Sequence, residues 1–319
     1  MKWDEGRSPH HNRSRDGNMR KQGSGFDRSR EQEGVEERNM HNILNERFKS
    51  LVNRNLYSSI VRSILEYYEV ASEKSGEVEL TKFYGKIVKH IQQLKSREKT
   101  DLNLVNEYLK DVENGLKEAC PRVYSLEIET KSRFIVSMKY PYMPLNLGLA
   151  IDPYMNVPFI PASSLRGALR MQLSLNNNDI SHNDISLLFG KSEGEEGKHP
   201  GILSIFDAYP VKAQNGLFEA DVITPHYRES DHKIGKREVD YKIGEHESKP
   251  NPILFLTVPS GVTFRAFSAV CDELDEQEKQ ALTKFVGALK NFSEFPLGLG
   301  AKTMTGYGVV EVSFIPIKT

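Results

Sequence analysis

Apolar residues between Met40 and Ala119 recur at three- and four-residue steps, and this period predicts helices. Leu44, Phe48, Leu51, Val52, Leu56, Ile60, Ile64, Leu65 and Tyr68 make one face. Leu80, Phe83, Ile87, Ile91 and Leu94 make a second, and Leu102, Val105, Leu109, Val112 and Leu116 a third, with Thr100 or Asp101 as its N-cap. After Pro121 the period drops to two. Residues 123–130 alternate apolar and polar side chains as a half-buried strand does, and residues 134–138 are read as its continuation past a bend. Strands are also predicted over residues 202–207 and 217–223. Residues 253–258 and 263–270 read as a hairpin turning at Pro259-Ser260-Gly261. One helix follows Pro161, with Ser163 or Ser164 as N-cap and Leu165, Ala168, Leu169 and Leu173 turned inward. Another covers residues 275–291 with Leu282, Phe285, Val286 and Leu289, and a final strand covers residues 309–316.

Without its insertions the body reads β-α-β-β-α-β, an α+β, ferredoxin-like split βαβ of the kind RNA-recognition domains use. Three segments follow from the pattern. Residues 1–39 are rich in Arg, Ser, Gly and acids and poor in apolar side chains, so they are expected to be a disordered tail. Residues 40–120 are a helical subdomain, and residues 121–319 the body. The body is interrupted at residues 224–251 by a polar insertion holding His226, Tyr227, Arg228, Lys233, Lys236, Arg237 and Tyr241. An irregular stretch of that length within a compact domain is functional or disordered.

Charge changes the picture little. The 319 residues carry 43 Lys and Arg against 44 Asp and Glu, a formal net charge of −1. That excludes indiscriminate coating of polyanions but leaves room for a local basic groove. No apolar run approaches a membrane span and no secretory h-region opens the chain. Cys120 and Cys271 are too few for a disulfide framework or a cysteine metal site, which suits a reducing cytoplasm. No metal, cofactor or small-molecule substrate is implied.

Two stretches carry candidate chemistry. Residues 295–308 place Gly298, Gly300, Gly306 and Gly308 around Lys302, Thr303, Thr305 and Tyr307. Free N–H groups in such a loop form an anion-binding concavity, which points to a phosphate. It is not a P-loop, because Ala301 precedes Lys302-Thr303 and a strand follows; Gly190-Lys191-Ser192 lacks the first glycine. The alternative is a tight turn whose glycines serve geometry alone. The second stretch, Pro158-Phe-Ile-Pro-Ala-Ser-Ser-Leu-Arg-Gly-Ala-Leu-Arg170, sets Ser163 and Ser164 at a helix start with Arg166 and Arg170 four apart on one face. Hydroxyls and arginines there suit a phosphate. The alternative is two ordinary surface arginines.

With both stretches in view the sequence resembles the RAMP superfamily of CRISPR proteins. Phe206-Asp-Ala-Tyr-Pro210, Asp221-Val-Ile-Thr-Pro-His-Tyr227 and residues 250–258 narrow the resemblance to the sixth-subunit family of the type III-B, or Cmr, effector. Where that family continues with further tyrosines after Tyr227, this chain has Arg228-Glu-Ser-Asp231. The resemblance implies a non-catalytic subunit that holds CRISPR RNA near its 3′ end, meets target RNA and packs on other Cmr complex subunits. The insertion becomes a thumb wedged into the guide–target duplex, with His226 and Tyr227 at its root and Tyr227 or Tyr241 stacking. Two rival readings stand beside it. Related RAMPs cut RNA with a loop acid or histidine, which makes Asp221, His226, Asp231 and His232 the places to look. A purely structural assembly subunit is the other.

Overall fold

The computed structural model describes residues 35, 38–47, 55–75, 80–95, 102–138, 143–176, 180–191, 200–224, 252–290 and 297–318. The N-terminal tail apart from a few residues, and positions 225–251 of the insertion, lie outside them. Residues 38–47 form α1, followed by α2 (Leu56–Ser75), α3 (Leu80–Lys95) and α4 (Asn103–Ala119). Leu44, Leu56, Ile60, Phe83, Ile87, Ile91, Val105 and Leu109 are buried, as their spacing predicts. Leu65 and Tyr68 are not: they are 59% and 53% exposed, and Tyr67 is buried in their place. The inward stripe of α2 runs Ile60, Ser63, Tyr67, and Leu65 stands roughly 140° around the helix from Ile60. Leu102, not Thr100 or Asp101, is the N-cap of α4, and it supplies no side-chain cap.

The body is built on an antiparallel sheet. Its strands are β1 (Arg122–Thr130), β4 (Ser204–Ile205), β5 (Tyr209–Ala213), β8 (Val262–Val270) and β9 (Val310–Lys318). They run β4-β8-β1-β9, with β5 also on the outer side of β8. Two small antiparallel pairs stand apart: β2 (Ile151–Asp152) with β3 (Val157–Pro158), and β6 (Glu219–Ile223) with β7 (Ile253–Thr257). The predicted hairpin is therefore corrected. The chain does turn at Pro259-Ser260-Gly261, but β8 already has neighbours on both sides, so β7 pairs with β6. Residues 134–138 do not extend β1 either; Phe134 makes one isolated bridge to Val258. β5 went unpredicted, and β4 is shorter than the strand expected at 202–207.

Register explains the two faces. Leu126 lies opposite Ala266 and Phe314, and Ile128 opposite Phe264 and Val312, so these side chains share one side of the sheet. Helix α7 (Glu276–Lys290) covers that side, with Phe285 edge-on to Phe314 at 6.4 Å and to Phe189 at 5.9 Å. Full burial of a ring such as Phe285 contributes about 1.5–3 kcal/mol. The opposite side presents Glu127, Glu129 and Glu311, which pair with Arg265 and Lys131 at 2.6–3.0 Å.

Register also overturns the expectation of two reduced cysteines. Arg122 pairs with Val270, so the chain just before β1 and just after β8 must come together. Cys120 and Cys271 meet there in a disulfide that spans 151 residues. Period and composition cannot reveal a pairing set by strand register.

Candidate nucleic-acid interface

Helix α5 (Ala162–Asn176) begins where Pro161 predicts, yet neither serine caps it. The Ala162 N–H donates to the Asp207 carboxylate at 2.6 Å, and Ser164 and Leu165 N–H donate to the Pro161 carbonyl. Ser163 and Ser164 stand in the first turn, Ser163 exposed and Ser164 half-buried. A carboxylate thus holds the first N–H of the expected phosphate seat. Asp207 is the acid of the Phe206–Pro210 stretch. Next to it Ala208 bridges Ile160, and the Tyr209 hydroxyl donates to Asp152 at 3.0 Å.

Arg166 points elsewhere. Its Nη2 donates to the carbonyls of Phe189 and, at 3.3 Å, Pro200. Phe189 closes α6 (His182–Phe189), a helix the period did not reveal. A reciprocal cap starts α6: Asp184 N–H donates to Ser181 Oγ, and Ser181 N–H to Asp184 Oδ2. The Ser181-x-x-Asp184 spacing was the readable signal. Arg170, one turn after Arg166, is half-buried.

The glycine loop folds back on the segment after β1. Ala301 N–H donates to Ile135 O, Gly308 N–H to Arg133 O, and Leu299 N–H to Gly308 O, each at 2.9 Å. Gly300 and Gly308 stand at φ +87° and +73°. A Cβ at Gly308 would collide with the Leu299 carbonyl, and one at Gly300 with the Ile135 carbonyl and, at 2.9 Å, with Phe134 Cε2. Their freedom serves close packing of the protein on itself. Between them lies a short 3-10 turn, Thr303–Thr305. Lys302 adopts a left-handed backbone at φ 59°, and its carbonyl accepts from Thr305 N–H and Oγ1 at 3.0 and 2.9 Å. The N–H groups of Gly300, Lys302, Thr303 and Met304 donate to no described residue, and the Lys302 ammonium pairs with none.

The two stretches meet. Ser164 and Ala168 of α5 form one wall of an open cleft of about 420 Å³, and Leu297–Ala301 with Thr303 the other; Val136, Ser137 and Met138 close it. Ser137, like Lys302, is left-handed without being glycine, at φ 57°. Ser164, Gly298, Gly300 and Thr303 line the cleft. Lys302 and Thr305 belong to the turn beside it, and His226 and Tyr227 lie outside the described residues.

Tyr307 and Gly308 do not line the cleft. The Tyr307 hydroxyl donates to Asp221 Oδ2 at 2.5 Å, and burial, then this bond, push its pKa up to about 12. Arg133 donates to Asp221 at 3.1 Å and to Glu219 at 2.9 Å; these contacts, Glu219 first, raise its pKa further. Arg133 carries no local signal in the sequence. Asp221, a candidate acid of the nuclease reading, is thus occupied by a cation and a phenol. Among the described residues no group of three His, Cys, Asp or Glu is placed to hold a metal, and no helix is long and apolar enough to cross a membrane.

The sequence model of the RAMP superfamily matches residues 143–311, which include α5, β4, β5, β8 and the glycine loop. This chain belongs to the RAMP superfamily. Among curated RAMP relatives it is similar to the CRISPR system CMR subunit Cmr6 of Saccharolobus solfataricus, 29% identical over 256 residues that cover 76% of each chain. Among solved structures it resembles a chain of the type III-B Cmr-beta assembly bound to cognate target RNA. That likeness has a TM-score of 0.63 and 24% identity, over 88% of this chain and 99% of the other. It establishes a shared fold.

Proposed function

We propose that this chain is a non-catalytic, RNA-binding subunit of a type III-B CRISPR effector complex, holding the guide backbone toward its 3′ end in antiviral defence. Its partners in this reading are CRISPR RNA, target RNA and the other Cmr complex subunits. The observation that carries it is the cleft shared by the α5 start and the glycine loop, two segments remote in sequence that converge on one surface. Uncommitted N–H groups, hydroxyls and Lys302 at its rim suit phosphate contacts that fix register without reading bases. Base pairing supplies sequence information in a guide-directed complex, so backbone contacts suffice. Similarity to Cmr6 supports the choice of complex.

The body fits a ferredoxin-like βαββαβ unit. With β4 and β5 taken as one strand, the order β5-β8-β1-β9 is fourth-first-third-second when read from β9, all antiparallel, as a split βαβ requires. Residues 40–120 form the helical subdomain in this reading, and residues 224–251 the thumb that wedges into the guide–target duplex, with His226 and Tyr227 as RNA contacts and Tyr227 or Tyr241 as its stacking group. A non-catalytic role is supported by the double engagement of Asp221.

The test is a salt titration of guide RNA binding by the full chain, followed by incubation with target RNA with and without EDTA. Affinity is expected to fall steeply with salt, and target RNA to stay intact. Binding indifferent to ionic strength, or cutting abolished by His226→Ala, overturns the proposal.

A further inference from the structure

One cluster lies outside the cleft yet touches the loop that forms its wall. Asp221 belongs to β6, the strand that leads toward residue 225, and its side chain is only 12% exposed. It accepts from Tyr307 of the glycine loop and from Arg133 of the segment after β1. Arg133 reaches Glu219 on the same strand, and its own carbonyl receives the Gly308 N–H. The loop, the segment beneath it and the insertion's root strand therefore converge on one carboxylate.

We infer that Asp221 is a positioning residue: through Tyr307 and Arg133 it locks the glycine loop to the root strand of the insertion, and RNA affinity depends on a carboxylate that RNA does not touch. The inference rests on the RNA-binding reading above. Its physical basis is geometric. The N–H groups of Gly300, Lys302, Thr303 and Met304, which donate to no described residue, can serve a phosphate only while the backbone between Leu299 and Gly308 keeps its path. Two anchors hold the far end of that path: the Gly308 N–H on Arg133 and the Tyr307 hydroxyl on Asp221. Hydrogen bonds to ionised partners are the stronger kind and hold geometry closely.

The sign of the effect separates this role from simple electrostatics. Removing a negative charge near an RNA site strengthens binding if the charge acts only by repulsion. A positioning role requires the opposite. Asp221→Asn in the full chain is expected to weaken guide RNA binding about tenfold and to flatten the slope of log affinity against log salt, because loop phosphate contacts are lost. Tyr307→Phe, which deletes one hydroxyl and leaves Arg133 paired, is expected to weaken binding in the same direction. The double variant is expected to be no worse than the weaker-binding single variant, since both changes break one bond. Unchanged or tighter binding by Asp221→Asn, or fully additive losses in the double variant, overturns the inference. Wild-type protein without salt-sensitive RNA binding would instead overturn the functional reading beneath it.

Discussion

The two walls of the cleft use similar residues in opposite ways. At the α5 start the charged groups are spent within the protein: Asp207 holds the Ala162 N–H, and Arg166 holds the carbonyls of Phe189 and Pro200. In the glycine loop the Leu299, Ala301 and Gly308 N–H groups are spent on the protein, while the Lys302 ammonium and the N–H groups of Gly300, Lys302, Thr303 and Met304 donate to no described residue. One wall is scaffold that brings Ser164 to the cleft, and the other is a tightly folded loop with donors left over. A hydroxyl-and-arginine helix start is thus weak evidence for phosphate binding until the arginine's partners are known.

The largest way to break this contrast is through the loop's own packing. Gly308→Ala places a methyl against the Leu299 carbonyl at positive φ, and no flexible side chain is there to give way. A loss of about 3 kcal/mol in stability, read from denaturant midpoints, is expected together with loss of RNA binding. Gly306→Ala is the control: its added methyl meets open space, so only the cost of φ +89° remains, about 1 kcal/mol.

The second comparison sets Arg166 against Lys302. Arg166→Ala leaves the carbonyls of Phe189 and Pro200 without their cation and is expected to cost about 2 kcal/mol of stability, while the salt slope of RNA binding stays unchanged. Lys302→Glu is expected to do the reverse: an unmoved melting temperature, affinity lower by about tenfold, and a slope reduced by about 0.7 for one lost single-strand phosphate contact. If Arg166→Ala instead flattens the slope at constant stability, α5 is a phosphate wall and the contrast is wrong.

Legibility followed the range over which the physics acts. The inward faces of α3 and α4, strand β1, the existence of α5 after Pro161 and the bounds of α7 were readable, because periods of 3.6 and 2 are local. So were the glycine loop and its place beside the α5 start. What failed depends on partners far along the chain. Whether β7 joins β8 or β6 is decided by which strand has a free edge. Whether Cys120 meets Cys271 is decided by the register of β1 on β8. Arg133 and Asp221 carry no spacing signal, since 88 residues separate them. Leu65 and Tyr68 failed for a different reason: a face drawn too wide admits residues that the helix turns outward.

The smallest expected effect probes the scaffold behind α5 without touching the loop. Helix α6, whose last carbonyl Arg166 holds, is anchored by Asp184, which is 10% exposed and accepts from Lys284 at 2.8 Å and from Ser181. Burial works against the charge, but Lys284 and Ser181 outweigh it and hold the carboxyl below its ordinary value of 3.8. A depressed carboxylate contributes its stability above the unfolded pKa and loses it as pH falls through the folded one. The contribution is therefore complete at neutral pH and disappears only below about pH 4. Because Lys284 is 42% exposed, solvent screens the pair, and the acid-sensitive part is expected to stay under about 1 kcal/mol. Thermal melts between neutral pH and pH 3 should show a shallower acid limb for Asp184→Asn than for the wild type. At neutral pH, where RNA binding is measured, the same variant should keep its salt slope, because α6 supports the wall whose charged groups are spent within the protein. A changed slope would mean that strain in α6 reaches the loop, and the two walls would then have to be treated as one unit.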